Sequence, residues 1–118
     1  MSDLIKRMAH VALHVPDLDA SVGWATTVMG MREVTREDGT SYLTHADCHH
    51  SLQLIDADRS ALDHIAMEAH DEAALELLIA RLRERGVTIV SETPEEPGIE
   101  RAVRFLGPEG HVIEVFTG

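Results

Sequence analysis

Short runs in which apolar and polar positions alternate make up most of the chain. These runs predict β-strands, because successive side chains of a strand point to opposite faces of its sheet. Eight strands are predicted, at 8–15, 31–37, 40–46, 49–55, 62–69, 87–92, 101–106 and 110–117. Turn-forming residues separate several of them, as in Asp38-Gly39 and Gly107-Pro108-Glu109-Gly110.

Two longer stretches have helical rather than alternating periodicity, and they follow the first and fifth predicted strands. In the second stretch, leucine and isoleucine recur every three or four positions, which predicts a helix with one buried face. His70 or Asp71 is placed to cap this helix, and Gly86 ends it. The first helix is predicted from about Asp19 to Met29.

The order of these elements repeats itself along the chain. The segment His10-Val11-Ala12-Leu13 returns as His64-Ile65-Ala66-Met67, and an acidic, alanine-containing stretch that opens a helix follows each of them. The repeat predicts two βαβββ modules, at about 7–56 and 62–117, within a single domain over 1–118. The predicted fold class is therefore α+β, with two modules that form curled mixed sheets around a cavity and carry their helices outside.

Composition and charge narrow the function classes. The 118 residues carry a formal net charge of −11 at pH 7, which disfavours nucleic acid and anionic membrane surfaces as partners. No apolar run approaches the roughly 20 residues of a membrane span, and the first residues lack the apolar stretch of a secretory signal. The single cysteine, Cys48, excludes an intrachain disulfide, and we expect a cytoplasmic protein.

Strand alternation places two histidines and one glutamate on a common side of the sheet. The uniformly apolar faces of the first, fifth and last strands are expected to pack under the helices, so His10, His64 and Glu114 lie on the opposite faces. Two imidazoles and a carboxylate in one cavity make a 2-His-1-carboxylate set, which leaves open positions on a divalent metal. The alternative is that each is an ordinary polar residue of a sheet.

The positions of the remaining histidines and of one acidic run can also be predicted from the sequence. His45, His70 and His111 are expected on the surface. The acidic, proline-containing run at 92–100 predicts a surface loop that could also act as a lid over the cavity. His49 and His50 precede an alternating strand, and alternation puts His49 on the metal face and His50 in the core.

Three segments resemble the vicinal oxygen chelate superfamily. Residues 10–18 resemble its first strand, residues 62–68 resemble its fifth strand, and residues 104–116 resemble its closing hairpin. This superfamily includes glyoxalase I, methylmalonyl-CoA epimerase, fosfomycin thiol transferases, bleomycin-binding proteins and type I extradiol dioxygenases. Its paired βαβββ modules cup a divalent metal. Carried over residue by residue, the resemblance implies that the metal ligands are His10, His64 and Glu114.

Within the superfamily, the chain looks most like an extradiol dioxygenase domain. Segment 48–54 is similar to the stretch that supplies an acid/base histidine in those enzymes, and segment 101–105 is similar to another part of them. The resemblance implies Fe(II), a catechol-like substrate and ring cleavage by O2 next to the diol. Local matching makes the acid/base residue His50, if the strand end is bulged, with His49 as the alternative.

Two other functions compete with the dioxygenase. Gln53 aligns with Glu114 in the repeat, and a fourth ligand at this place resembles the glyoxalase and epimerase sets, which use Zn, Ni, Co or Mn. The third candidate is a small-molecule binding protein of the resistance type, against which the ligand set counts. The resemblance also implies a homodimer, in which the site lies within one chain or is shared between two.

Overall fold

The computed structural model describes residues 4–47, 49–94, 96 and 99–118, so Cys48 lies outside the described residues. Eight strands and two helices follow one another in the described chain. Their order and bounds are β1 (Ile5–Val15), α1 (Leu18–Thr27), β2 (Arg32–Glu37), β3 (Thr40–Thr44), β4 (Leu52–Asp56), β5 (Ala61–Ala69), α2 (Glu72–Glu84), β6 (Ile89–Ser91), β7 (Arg101–Leu106) and β8 (Val112–Thr117). The predicted βαβββ repeat is confirmed.

The two modules have the same strand pairing. In the first, β1 is parallel to β4, and β2, β3 and β4 form an antiparallel meander. In the second, β5 is parallel to β8, and β6, β7 and β8 form the corresponding meander. The strand order is β2-β3-β4-β1 in the first module and β5-β8-β7-β6 in the second, so each module has a mixed sheet, which confirms the α+β class. Neither described helix is long and apolar enough to cross a membrane.

Contacts divide the chain into two compact units, one of which contains His10–Asp63. In this unit Asp17 caps α1, because its side chain accepts a hydrogen bond from the backbone N–H of Ala20 at 3.1 Å. The helix buries Val22 and Ala25 against residues of β3 and β4. Leu13 and Val15 of β1 pack against the same group, as the alternation of the first strand predicts. Gly30 has a φ of 70°, which lets the chain turn away after the helix.

The other unit contains His64–Gly118 together with the first residues of β1. Asp71 caps α2, because its side chain accepts a hydrogen bond from the backbone N–H of Ala74 at 2.8 Å. The helix buries three side chains at helical spacing against Val115 and other apolar residues of β5, β7 and β8: Leu75, Ile79 and Leu82. The opposite faces of β5 and β8 do not contact α2 and are available to other side chains.

Candidate metal centre

The parallel pairing of β5 with β8 brings His64 and Glu114 to the same face. Ala66 is opposite Glu114 in the register, and His64 lies two residues before Ala66, so all three point to one side. His64 Nε2 is 3.4 Å from Glu114 Oε1, and the side chains are 1% and 0% exposed. The prediction that these two residues share a face is confirmed, and their role as metal ligands stays a prediction.

Glu96 joins this pair from the segment between β6 and β7. Its Oε1 atom is 2.8 Å from His64 Nε2, and its side chain is only 2% exposed. Glu92 and Glu100 of the same run are exposed, so the prediction of a surface loop is wrong at Glu96. Potential ligand atoms of His64, Glu96 and Glu114 lie within 4.8 Å of one another.

Arg104 connects the two carboxylates. It is opposite Glu114 in the antiparallel register of β7 and β8. Its Nη2 donates to Glu96 Oε1 at 2.5 Å, and its Nε is 3.5 Å from Glu114 Oε2. Burying two carboxylates is costly unless cations compensate them, and one guanidinium offsets only one of the two charges. A protonated His64 or a bound cation would offset the charge of the other carboxylate.

Small and apolar residues surround this cluster on its own face. Ala66, Ala102 and Phe116 form a buried group, and Ala9 and Ile99 pack against it. Phe116 lies two residues beyond Glu114 on β8, and Ala102 is opposite Phe116 on β7. The carboxylates consequently lie in a low-dielectric region, where electrostatic attraction to a cation is stronger than in water.

His10 belongs to the other unit, where it contacts His50. His10 lies on β1 and is 5% exposed, and its ring centroid is 4.3 Å from that of His50. His50 is also buried, and the Tyr42 ring lies 5.0 Å from it at 72°. His49 is exposed, and its Nδ1 is 2.9 Å from His50 Nδ1. The structure thus brings His50, rather than His49, into ring contact with His10.

Gln53 lies on the same side of this unit. In the register it is opposite Ala12 of β1 and Tyr42 of β3, and Ala12 shares the face of His10. The side chain is buried, and its Oε1 has no hydrogen-bond partner among the residues that the structure describes. A buried amide oxygen without a partner is costly, so this oxygen is suited to accept from, or coordinate, a ligand.

The spacing of the donor atoms of His64, Glu96 and Glu114 is compatible with a divalent metal ion. Nitrogen and oxygen ligands bind such an ion at about 2.1 Å, so neighbouring ligand atoms are about 3 Å apart. The two distances from His64 Nε2, 2.8 Å to Glu96 and 3.4 Å to Glu114, match this separation. Imidazole and carboxylate also make a donor set that Fe(II), Mn(II) and Zn(II) accept.

Sequence patterns identified His64 and Glu114 but missed Glu96. Alternation and the repeat find residues on regular strands, whereas Glu96 lies in an irregular segment with other glutamates around it. The signal in the sequence is Arg104, an interior strand cation on the face of Glu114 that requires an acidic partner. That signal indicates a carboxylate without specifying its position.

The comparisons with known proteins agree with this architecture. Residues 7–115 match the family model of the Glyoxalase/Bleomycin resistance protein/Dioxygenase superfamily. The manganese-dependent 2,3-dihydroxybiphenyl 1,2-dioxygenase of Geobacillus genomosp. 3 is 32% identical over 98% of the chain and 38% of that protein. The trivalent organoarsenical cleaving enzyme of Thermomonospora curvata is 31% identical over 91% of the chain and 74% of that enzyme.

A solved structure has the same fold. The Mn(II)-bound glyoxalase of Novosphingobium aromaticivorans superimposes with a TM-score of 0.90 at 28% identity, over 97% of this chain and 39% of that one. The chain thus spans less than half the length of the dioxygenase and the glyoxalase. Because the family model covers most of the chain, this protein belongs to the Glyoxalase/Bleomycin resistance protein/Dioxygenase superfamily.

Proposed function

We propose that the protein is a metal-dependent dioxygenase that cleaves a catechol-like ring by the extradiol route. His10, His64 and Glu114 would hold one divalent ion. The observation that carries the proposal is the buried pair of His64 and Glu114, whose donor atoms are spaced as neighbouring ligands. The chain is also similar to a manganese-dependent 2,3-dihydroxybiphenyl 1,2-dioxygenase. The net reaction of such an enzyme adds both atoms of O2 to the substrate and breaks the ring carbon–carbon bond next to the diol.

Fe(II) is the metal that we propose first. The 2-His-1-carboxylate set with open positions is typical of non-haem Fe(II) oxygenases. Mn(II) is the nearest competitor, since the dioxygenase relative is manganese-dependent, and Zn, Ni or Co would suit the alternative chemistry below. When bound, the ion would act as a Lewis acid toward the diol oxygens and as an electron source toward O2.

The chain's own residues would position the reactants and move protons. His50 is the proposed acid/base residue, because it is buried in ring contact with His10. Its Nδ1 is engaged with His49 Nδ1, so we assign the proton exchange with substrate to Nε2. Arg104 would fix the carboxylate of Glu114, and the apolar group around Phe116 would keep water away from it.

A glyoxalase-like or epimerase-like reaction is the second candidate function. The observation that favours it is the buried Gln53 Oε1, which has no hydrogen-bond partner in the described part of the chain and would serve as a fourth ligand. The similarity to a Mn(II)-bound glyoxalase agrees with this alternative. The third candidate function is metal-free binding of a small molecule. The homodimer, the cytoplasmic location and the exclusion of nucleic-acid and membrane partners stay predictions from the sequence.

Anaerobic reconstitution with Fe(II) followed by addition of catechols and O2 tests the proposal. We expect oxygen uptake equal to the substrate consumed, together with a yellow ring-opened product. Metal-loaded protein that takes up no oxygen with any catechol, but exchanges a proton on a hemithioacetal or thioester, would establish the second function instead. Tight ligand uptake by protein that binds no metal would establish the third.

A further inference from the structure

Glu96 is a buried carboxylate that the proposed three-residue ligand set does not use. We propose that Glu96 is an additional metal ligand, so that the centre holds its ion with two carboxylates rather than one. The inference rests on the proposed function, because it needs the metal at His64 and Glu114. It concerns three side chains of one unit: His64, Glu96 and Glu114.

The two carboxylates approach the same imidazole nitrogen. His64 Nε2 is 2.8 Å from Glu96 Oε1 and 3.4 Å from Glu114 Oε1. A hydrogen on Nε2 lies in one direction only, so a single N–H donor cannot align well with both oxygens. One cation near all three atoms would satisfy them together, because donors about 3 Å apart are neighbours around an ion with bonds of about 2.1 Å.

Arg104 keeps Glu96 in place for this role. The guanidinium lies on β7, opposite Glu114, and its Nη2 donates to Glu96 Oε1 at 2.5 Å. Carboxylate ligands of metals commonly have such hydrogen-bonding partners, which orient them. The side chain of Arg104 is 13% exposed, so solvent screens this contact little. A surface glutamate that only offset the charge of Arg104 would not need to be buried against His64.

A second carboxylate changes the charge and the metal preference of the centre. Two glutamates would cancel the charge of a divalent ion, whereas Glu114 alone leaves a net charge of +1. Carboxylate-rich sets suit harder ions such as Mn(II). Removing the carboxylate of Glu96 should therefore weaken Mn(II) binding by at least about tenfold, since even outer partners of metal ligands contribute about 10–100-fold.

Mn(II) titrations of full-length protein test the inference, with free Mn(II) measured by its EPR signal. The variants are Glu96→Gln, which keeps the side-chain volume, and Glu92→Gln as the matched control. Glu92 lies in the same run but is exposed and paired with Arg83 at 2.6 Å. We expect at least about a tenfold rise in the Mn(II) dissociation constant for Glu96→Gln, an altered signal of the bound ion, and wild-type binding for Glu92→Gln.

Equal Mn(II) affinity of Glu96→Gln and wild type would overturn the inference and leave the proposed function standing. A wild-type protein that binds neither Mn(II) nor Fe(II) would overturn both. If Glu96→Gln does not fold, a structure of the Mn(II)-loaded wild type decides the matter. A Glu96 oxygen within about 2.2 Å of the ion supports the inference, and a Glu96 carboxylate turned away from the ion overturns it.

Discussion

His64→Ala is expected to abolish stoichiometric metal binding. His64 Nε2 lies 2.8 Å from Glu96 Oε1 and 3.4 Å from Glu114 Oε1. Its removal would take away a proposed ligand and leave Glu96 and Glu114 without their shared imidazole. We expect a loss of Fe(II) or Mn(II) affinity of more than about 100-fold, because losing even an outer partner of a ligand costs about 10–100-fold.

Elemental analysis of protein dialysed against a weak chelator measures this effect. His111→Ala is the matched control, since His111 belongs to the same unit but is exposed. Wild type and His111→Ala should each retain about one ion per chain, and His64→Ala should retain almost none. One ion per chain in all three proteins would show that the metal does not depend on His64 and would contradict this prediction.

His50→Gln is expected to lower the rate of ring cleavage without releasing the metal. A positioned general acid or base contributes about 10²–10⁴-fold to a rate, so we expect kcat to fall by a factor in that range. Glutamine keeps hydrogen-bonding capacity at this buried position next to His10 and Tyr42 but cannot exchange protons near neutral pH. Metal content should equal that of wild type.

His49→Gln is the matched control for this experiment. His49 is exposed and contacts His50 through the two Nδ1 atoms, so its replacement should lower kcat much less than His50→Gln does. Steady-state rates over a pH range separate the two variants. A full loss in His49→Gln with an active His50→Gln would assign the proton transfer to His49.

The faces of the strands could be predicted from the sequence because they follow from local alternation. Val115 on β8 and Met67 on β5 pack on the α2 side, as expected, while His64 and Glu114 lie on the other. The parallel pairing of β5 with β8, which matches that of β1 with β4, is known from the structure. Alternation within regular strands is therefore a reliable guide to which side chains share a face.

Alternation does not extend past the end of a strand, and this explains the ambiguity between His49 and His50. The strand β4 begins at Leu52, so the two histidines lie before it and the period of two does not apply to them. His50 is buried although alternation from Gln53 would favour His49 for this face. Glu96 could not be found for a related reason, because an irregular segment has no period to follow.

Anomalous diffraction from crystals of the Fe(II)-loaded protein, recorded at the iron edge, tests the central claim most directly. The account predicts one peak per chain, within about 2.2 Å of a nitrogen of His10, a nitrogen of His64 and an oxygen of Glu114. A peak at other side chains, or iron contacts that include neither His64 nor Glu114, would contradict it.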